Sequence, residues 1–365
     1  MLGVIDSDTH VAESLSMWNL IDADMRHRRP VLVSMPDDTL YKDWNALWLI
    51  DGNIFPKPVG KGGFRLITPS ESKIQSSRKD IRVGCREITD VAARLADMDR
   101  LGVETQVVYP TLFLIYLTDD PALDVALCRA YNRFMARAWC DSKNRLRWVV
   151  VPPLRSIEES VKEITTAKAN GAVGVFFRGI EGNYTLDNPH FFPVYQAAMD
   201  VDLPICIHTG SGTPSVTAMF DLERNRQWSH SGFPPLHAFR DLVLNQIPEM
   251  FPRLRFGFIE ASASWVPFLI HKLRRDNTKR WKPSWKSGAD LFADCRFFVA
   301  CEADEDLPYL TQYIGEDHLL TGSDYGHNDP AEQAQLVATM NAREDMPAGL
   351  VQKILCENPR KFYGL

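Results

Sequence analysis

Residues Ile5-Asp6-Ser7-Asp8-Thr9-His10, IDSDTH, carry a short apolar run into two carboxylates and an imidazole. A strand with no duty beyond folding more often stops at Gly, Asn or Pro. Other apolar runs in the chain end in the same way. PICIH closes on His208, FGFIE on Glu260 and LLTGSD on Asp324. Whether these endings meet in space depends on how the runs are arranged.

Eight such runs recur along the chain: Leu2–Asp8, Glu104–Pro110, Leu146–Pro152, Ala172–Arg178, Leu203–His208, Leu254–Glu260, Arg296–Cys301 and His318–Asp324. Most are apolar nearly throughout, as strands buried on both faces must be. Stretches of helical periodicity separate them: 91–98, Ile157–Asn170, Phe191–Asp200 and Leu236–Met250. Strand alternating with helix implies a parallel sheet with right-handed crossovers. Eight units, with no Gly-rich phosphate turn after an early strand, predict a (β/α)8 barrel of the TIM type over residues 1–365, a single domain. In such a barrel the strand ends share one rim.

Bulk properties narrow the function. A chain of 365 residues with 45% hydrophobic content buries a large core, and a net charge of -6 provides no basic field for nucleic acid. The Lys/Arg cluster from Lys272 to Lys286 is interleaved with Trp281 and Trp285 and reads as a local loop or helix face. Seven cysteines, an odd number without a CxxC pair, suit a reducing cytoplasm. No signal sequence or membrane-spanning run is expected. The expected partner is a small-molecule carboxylate substrate, with self-association into a homodimer or larger homo-oligomer.

Two segments exceed barrel spacing. Residues 27–85 contain Trp44, Trp48 and a hairpin signal, LWLIDGNIFPK, turning at Asp51-Gly52, and residues 209–235 are rich in Gly, Ser, Thr and Pro. Both follow strand C-terminal ends, so both are candidate lids, with plain surface decoration the competing reading.

Taken singly, each rim group has an ordinary structural explanation. His208 can be a hydrogen-bonded rim residue, Asp324 a helix cap and Glu260 the partner of an arginine. Together they form a set of nitrogen and oxygen donors suited to one divalent ion, Zn, Mn or Fe. Asp8 and His10, two apart, project to the same side of one strand and can reach a single ion. The expected ligands are Asp8, His10, His208 and Asp324. Asp324, Glu260 and His208 are the catalytic candidates, and Arg178, His237, His327 and Trp48 the substrate-binding ones. His230 and His237 are candidates to line the loop after strand five, and Trp44, Trp48 and Trp228 to form an aromatic wall, with buried bulk the competing reading for the tryptophans.

The blocks VIDSDTHVAESLSMW, GAVGVFFRG, DNPHFFPVYQAAMDVDLPICIHTG, FPRLRFGFIEASASWVPFLIHKL and CEADEDLPYL…IGEDHLLTGSDYGHND resemble successive blocks of the amidohydrolase-related (amidohydrolase 2) family. This branch of the metal-dependent hydrolase superfamily includes aminocarboxymuconate-semialdehyde decarboxylase and γ-resorcylate decarboxylase. The resemblance implies a (β/α)8 barrel with one catalytic divalent ion. By position, His10 and His208 match the histidine ligands of strands one and five. Asp324 matches the strand-eight aspartate, which in hydrolytic relatives also takes a proton from bound water.

Two departures stand out. The first-strand H-x-H is here Asp8-Thr9-His10, which makes Asp8 a carboxylate ligand, as in decarboxylase relatives with Glu there. At strand six, where many relatives have a histidine acting on substrate, this chain has Glu260. VFFRG lacks a lysine, so a two-metal site bridged by carbamylated lysine is not expected.

Two chemistries follow from these residues. Decarboxylation of an aromatic or unsaturated carboxylic acid needs chelation of the substrate and a proton donor. Hydrolysis needs a metal-activated water with Asp324 as base. The Asp-x-His pair favours the first. A non-catalytic barrel with a vestigial metal site is the third reading.

Overall fold

The computed structural model describes residues 3–39, 45–56, 67–73, 81–215, 233–276, 280–327 and 333–365. Eight parallel strands pair in chain order: β1 (Val4–Val11), β2 (Val103–Pro110), β3 (Leu146–Val150), β4 (Ala172–Arg178), β5 (Ile205–His208), β6 (Phe256–Ile259), β7 (Phe297–Cys301) and β8 (Leu319–Thr321). Each of the eight apolar runs supplies one strand, and the expected TIM-type barrel is the fold. Among the described residues no helix is long and apolar enough to cross a membrane. The cysteines are all free, and only Cys140 is exposed.

The sheet closes where the chain runs on past β8. Asp324 N–H donates to the Asp8 carbonyl at 3.0 Å, and His10 N–H donates to the Tyr325 carbonyl at 2.8 Å. Asp6 adds a side-chain clamp across the same seam, accepting from Ser323 N–H at 2.8 Å and from its hydroxyl at 2.5 Å. Gly322 permits this approach, because a Cβ there would lie 2.3 Å from the Asp8 Cβ. The seam of the barrel and the candidate site therefore occupy the same few residues.

β1 continues beyond Asp8, with Thr9, His10 and Val11 paired to Val108, Tyr109 and Pro110. Between Asp6 and Thr9 its register against β2 shifts by one residue. Such a bulge re-aims side chains, and it falls on the stretch that carries Asp8.

The helices begin and end for local reasons. Val91–Leu101 is capped by Asp90, which accepts from Ala93 N–H at 2.9 Å, and stops at Gly102 with φ 73°. Ile157–Ala169 and Phe192–Asp200 match their periodic stretches. The stretch expected as one helix over Leu236–Met250 divides into Phe233–Leu244 and Ile247–Met250. Gln246 takes a left-handed conformation and Pro248 follows, and a proline cannot sit inside a continuous helix.

The hairpin signal forms Ala46–Ile50 and Asn53–Phe55, with Asp51 and Gly52 both at positive φ as a tight two-residue turn requires. Val31–Ser34 pairs on the outer side of the hairpin and has no clear signal in the sequence. Trp48 is 2% exposed and packs edge-on to Trp18 at 6.3 Å. Trp44, Trp228 and His230, with most of the 209–235 loop, lie outside the described residues.

Candidate metal centre

Four side chains converge at the C-terminal rim. Asp8 and His10 come from β1, His208 ends β5, and Glu260 follows β6. One donor atom from each lies within 4.8 Å of the other three. His208 Nε2 is 3.0 Å from Glu260 Oε2 and 3.5 Å from Asp8 Oδ1. His10 Nε2 is 3.4 Å from Asp8 Oδ1, Glu260 Oε2 and Asp324 Oδ1. All four residues are buried or nearly so.

Asp8 Oδ1, His10 Nε2, His208 Nε2 and Glu260 Oε2 are buried without an aligned hydrogen-bond partner. A buried polar atom left so costs about 1–3 kcal/mol, so four in one place describe a site completed by something else. The other ring nitrogens show what that is. His10 Nδ1–H donates to the Pro110 carbonyl at 3.0 Å, and His208 Nδ1–H donates to the Thr209 carbonyl at 2.8 Å. Those bonds fix both tautomers with the Nε2 lone pair turned to the cluster, the arrangement of metal-binding histidines. Two imidazoles and two carboxylates fit one divalent cation.

Without an ion the four groups compensate one another. Burial alone would lower the His208 pKa, but Glu260 and Asp8 raise it to about 10. His10 is likewise raised against burial, chiefly by Asp8 and Glu260. Burial opposes ionisation of Asp8 and Glu260, yet the two imidazoles hold both below the ordinary carboxylate range. Asp6, buried behind them, is pushed up to about 7 by desolvation, against its bonds to Ser323.

Asp324 belongs to a second group with His10, Glu260 and His327. His327 Nδ1 lies 2.8 Å from Asp324 Oδ1, and its ring stacks on His10 with centroids 3.6 Å apart. Its Nε2 is 2.9 Å from the Thr111 hydroxyl. Glu260, Ser262 and Asp324 all hold positive φ near 50°, a conformation costly for residues with a Cβ. Strain of this kind persists where surrounding contacts hold it in place, and it concentrates at functional sites.

The remaining candidates lie elsewhere. Arg178 does not present a free guanidinium. Its Nε and terminal nitrogen grip Glu181, and the other terminal nitrogen donates to the carbonyls of Phe113 and Ile115 at 3.0 and 2.8 Å. The salt bridge at this position is therefore to Glu181 and not to a rim acid. His237 is exposed on Phe233–Leu244, with Asp241 one turn along the helix, and the structure does not bring it into the cluster. Glu260, expected as a proton carrier, stands with the donor atoms of both groups.

Three supporting residues, Glu13, Thr111 and Arg94, are not apparent in the sequence. Glu13 accepts from the N–H groups of Thr111 and Leu112 at 3.0 and 2.8 Å and so fixes the residue that holds His327. Arg94, fully buried, donates to the His10 and Cys85 carbonyls and to Gln106. Its guanidinium lies 3.9 Å over the Tyr325 ring.

A family model described as Amidohydrolase matches residues 5–365. The structure is similar to an amidohydrolase from Mycobacterium avium subsp. paratuberculosis, at 18% identity and TM-score 0.76, covering 100% of this chain and 99% of that one. A 2,6-dihydroxybenzoate decarboxylase from Rhizobium matches at 16% identity and TM-score 0.66, covering 100% and 99%. A 5-carboxyvanillate decarboxylase from Novosphingobium aromaticivorans, complexed with manganese and 4-hydroxy-3-methoxy-5-nitrobenzoic acid, matches at 18% and 0.66, covering 100% and 96%. At these identities the likeness establishes the shared barrel. With the family pattern running from β1 to the C-terminal residue, the chain belongs to the amidohydrolase family.

Proposed function

We propose that the protein is a metal-dependent decarboxylase of a hydroxylated aromatic or unsaturated carboxylic acid. The observation that carries this reading is the buried ring of four donor atoms without an aligned hydrogen-bond partner, two of them carboxylate oxygens. Asp8, His10, His208 and Glu260 would hold the ion. The oxygen-rich half of the set suits manganese, and the structurally similar 5-carboxyvanillate decarboxylase binds manganese. When bound, the ion supplies positive charge that anchors a substrate carboxylate and a neighbouring oxygen.

The protein's own groups do the rest. Asp324 and His327 form a carboxylate–imidazole pair beside the ring, able to hold a proton between Oδ1 and Nδ1 and pass it to the carbon that loses CO2. Thr111 and Glu13 orient that pair from behind. Two carboxylates around the ion reduce its charge and therefore its power to acidify water, which favours chelation over hydrolysis.

The hydrolytic reading rests on the same Asp324–His327 pair, which would serve equally well as a base toward water. Manganese-loaded protein incubated with a panel of ortho-hydroxybenzoic acids and muconate-like acids should evolve CO2, and chelation should stop it. Hydrolysis of carboxylated amides or lactones without CO2 from any acid of the panel would replace this reading with the hydrolytic one.

A further inference from the structure

Beside the metal centre lies a cavity of about 370 Å³ that none of the six cluster residues lines. Val151 and Pro152, at the end of β3, form part of its wall, with the rings of Phe113, Tyr116, Phe176 and Phe191. Its size is that of a small-molecule pocket, and its lining is mixed, with those apolar and aromatic walls facing a polar side that includes Asp119, Asp124, Glu181 and His190.

Two guanidinium groups border the cavity, and both are already engaged. Arg178 is held by Glu181 and two carbonyls, as described above. Arg155 donates from its terminal nitrogens to the Tyr116 hydroxyl, at 2.5 Å, and to the carbonyls of Thr118 and Asp119. Asp124 differs. It stands in the first turn of Pro121–Asp141, and the one hydrogen bond its carboxylate is seen to accept among the described residues comes from the Cys128 thiol at 4.0 Å. A carboxylate accepts up to about four hydrogen bonds, and a thiol is a weak donor. Burial pushes the Asp124 pKa up to about 6, against the pull of Arg178 and Arg155, so it remains mainly ionised at neutral pH.

We infer that this cavity binds a planar phenol, its ring between the aromatic walls and its hydroxyl donating to Asp124. An aromatic carboxylate is disfavoured, because Asp124 and Glu181 are negative and neither guanidinium is free. The cavity adjoins the metal centre through one side chain: Phe176 lines it, and the Phe176 ring lies 6.0 Å from that of His208. The assignment is independent of which reaction the metal centre performs, since it rests on residues outside that centre.

The test uses 2-naphthol, 2-methoxynaphthalene and 2-naphthoate with the metal-loaded protein. Calorimetric titration should show 2-naphthol binding, and a soaked crystal should show its hydroxyl on Asp124. The methoxy compound, which lacks the donor, and the carboxylate should each bind at least about tenfold more weakly, as loss of a hydrogen bond to a charged group entails. Asp124→Asn should weaken 2-naphthol by about tenfold with metal content unchanged. Naphthol density only at the metal ring, equal binding of either comparison compound in the cavity, or unchanged affinity in Asp124→Asn overturns the assignment. If that variant does not fold, the three-ligand comparison on the native protein decides alone.

Discussion

At the scale of single residues, Glu260 is the position where placement changes the chemistry. A glutamate with φ 51°, at the end of β6, carries strain that its contacts with His10 and His208 must offset. As a ligand it should govern metal occupancy. Glu260→Gln keeps the shape and removes the charge, and metal affinity should fall by more than the roughly 10–100-fold typical of losing an outer partner. Full metal content with turnover lost would return Glu260 to a proton-transfer role. His208 supplies a second test. Its pKa, raised to about 10, gives the metal-free protein stability that is whole below about pH 6.5 and lost as pH rises through about 10. Asp8 and Glu260 are held low, so their share is present above the ordinary carboxylate range and lost on acidification. An ion displaces the imidazolium protons, so the loaded protein is spared the alkaline loss. The melting-temperature gap between loaded and metal-free protein should therefore widen between about pH 6.5 and about pH 10. A gap that stays constant or narrows would show that no proton is displaced.

At the scale of elements, the seam and the segment after β2 position the site. A methyl at Gly322 would meet the Asp8 Cβ at 2.3 Å, so Gly322→Ala should separate β1 from the end of β8 and cost metal affinity and stability together. Loss of neither, measured by metal analysis and thermal melting, would mean that the seam is slack. Leu112–Leu114 and the following Ile115 are pinned from three sides, by Glu13, by Arg178, and by Ser211 N–H donating to the Leu114 carbonyl at 2.7 Å. Arg178→Met strands the buried Glu181 and should destabilise the fold by about 3–5 kcal/mol in denaturant titration. A stable variant with only a raised KM would make Arg178 a substrate anchor after all. The strands were legible because continuous apolar runs have no alternative in a barrel buried on both faces. The rim groups were legible because those runs end in charge. The partner of Arg178, Glu181, was not legible, because it sits three residues away in a two-residue strand, Ile180–Glu181, with no periodic signal. Glu13 and Arg94 act through backbone groups of distant segments, and Thr111 through the ring of the distant His327, and no spacing in the sequence encodes those contacts.

At the scale of the whole molecule, the barrel gathers charge that its composition disperses. A net charge of -6 over 365 residues is mild, yet Asp6, Asp8, Glu13, Glu260 and Asp324 all lie within or just behind one buried rim. So much acid in a low-dielectric interior is offset partly by protonation, with burial pushing Asp6 and Glu13 up to about 7, and partly by cations: the buried Arg94, the imidazoles and, in the proposed enzyme, a divalent ion. That balance bears on reaction type. An ion already surrounded by carboxylates holds a chelating acid well but is a poorer activator of water. In deuterated solvent, decarboxylation places deuterium on the carbon that lost CO2, delivered through the Asp324–His327 pair. In water enriched in oxygen-18, the organic product of that reaction carries no label. Oxygen-18 in the organic product without CO2 would overturn decarboxylation in favour of water attack, while the metal ring would still stand.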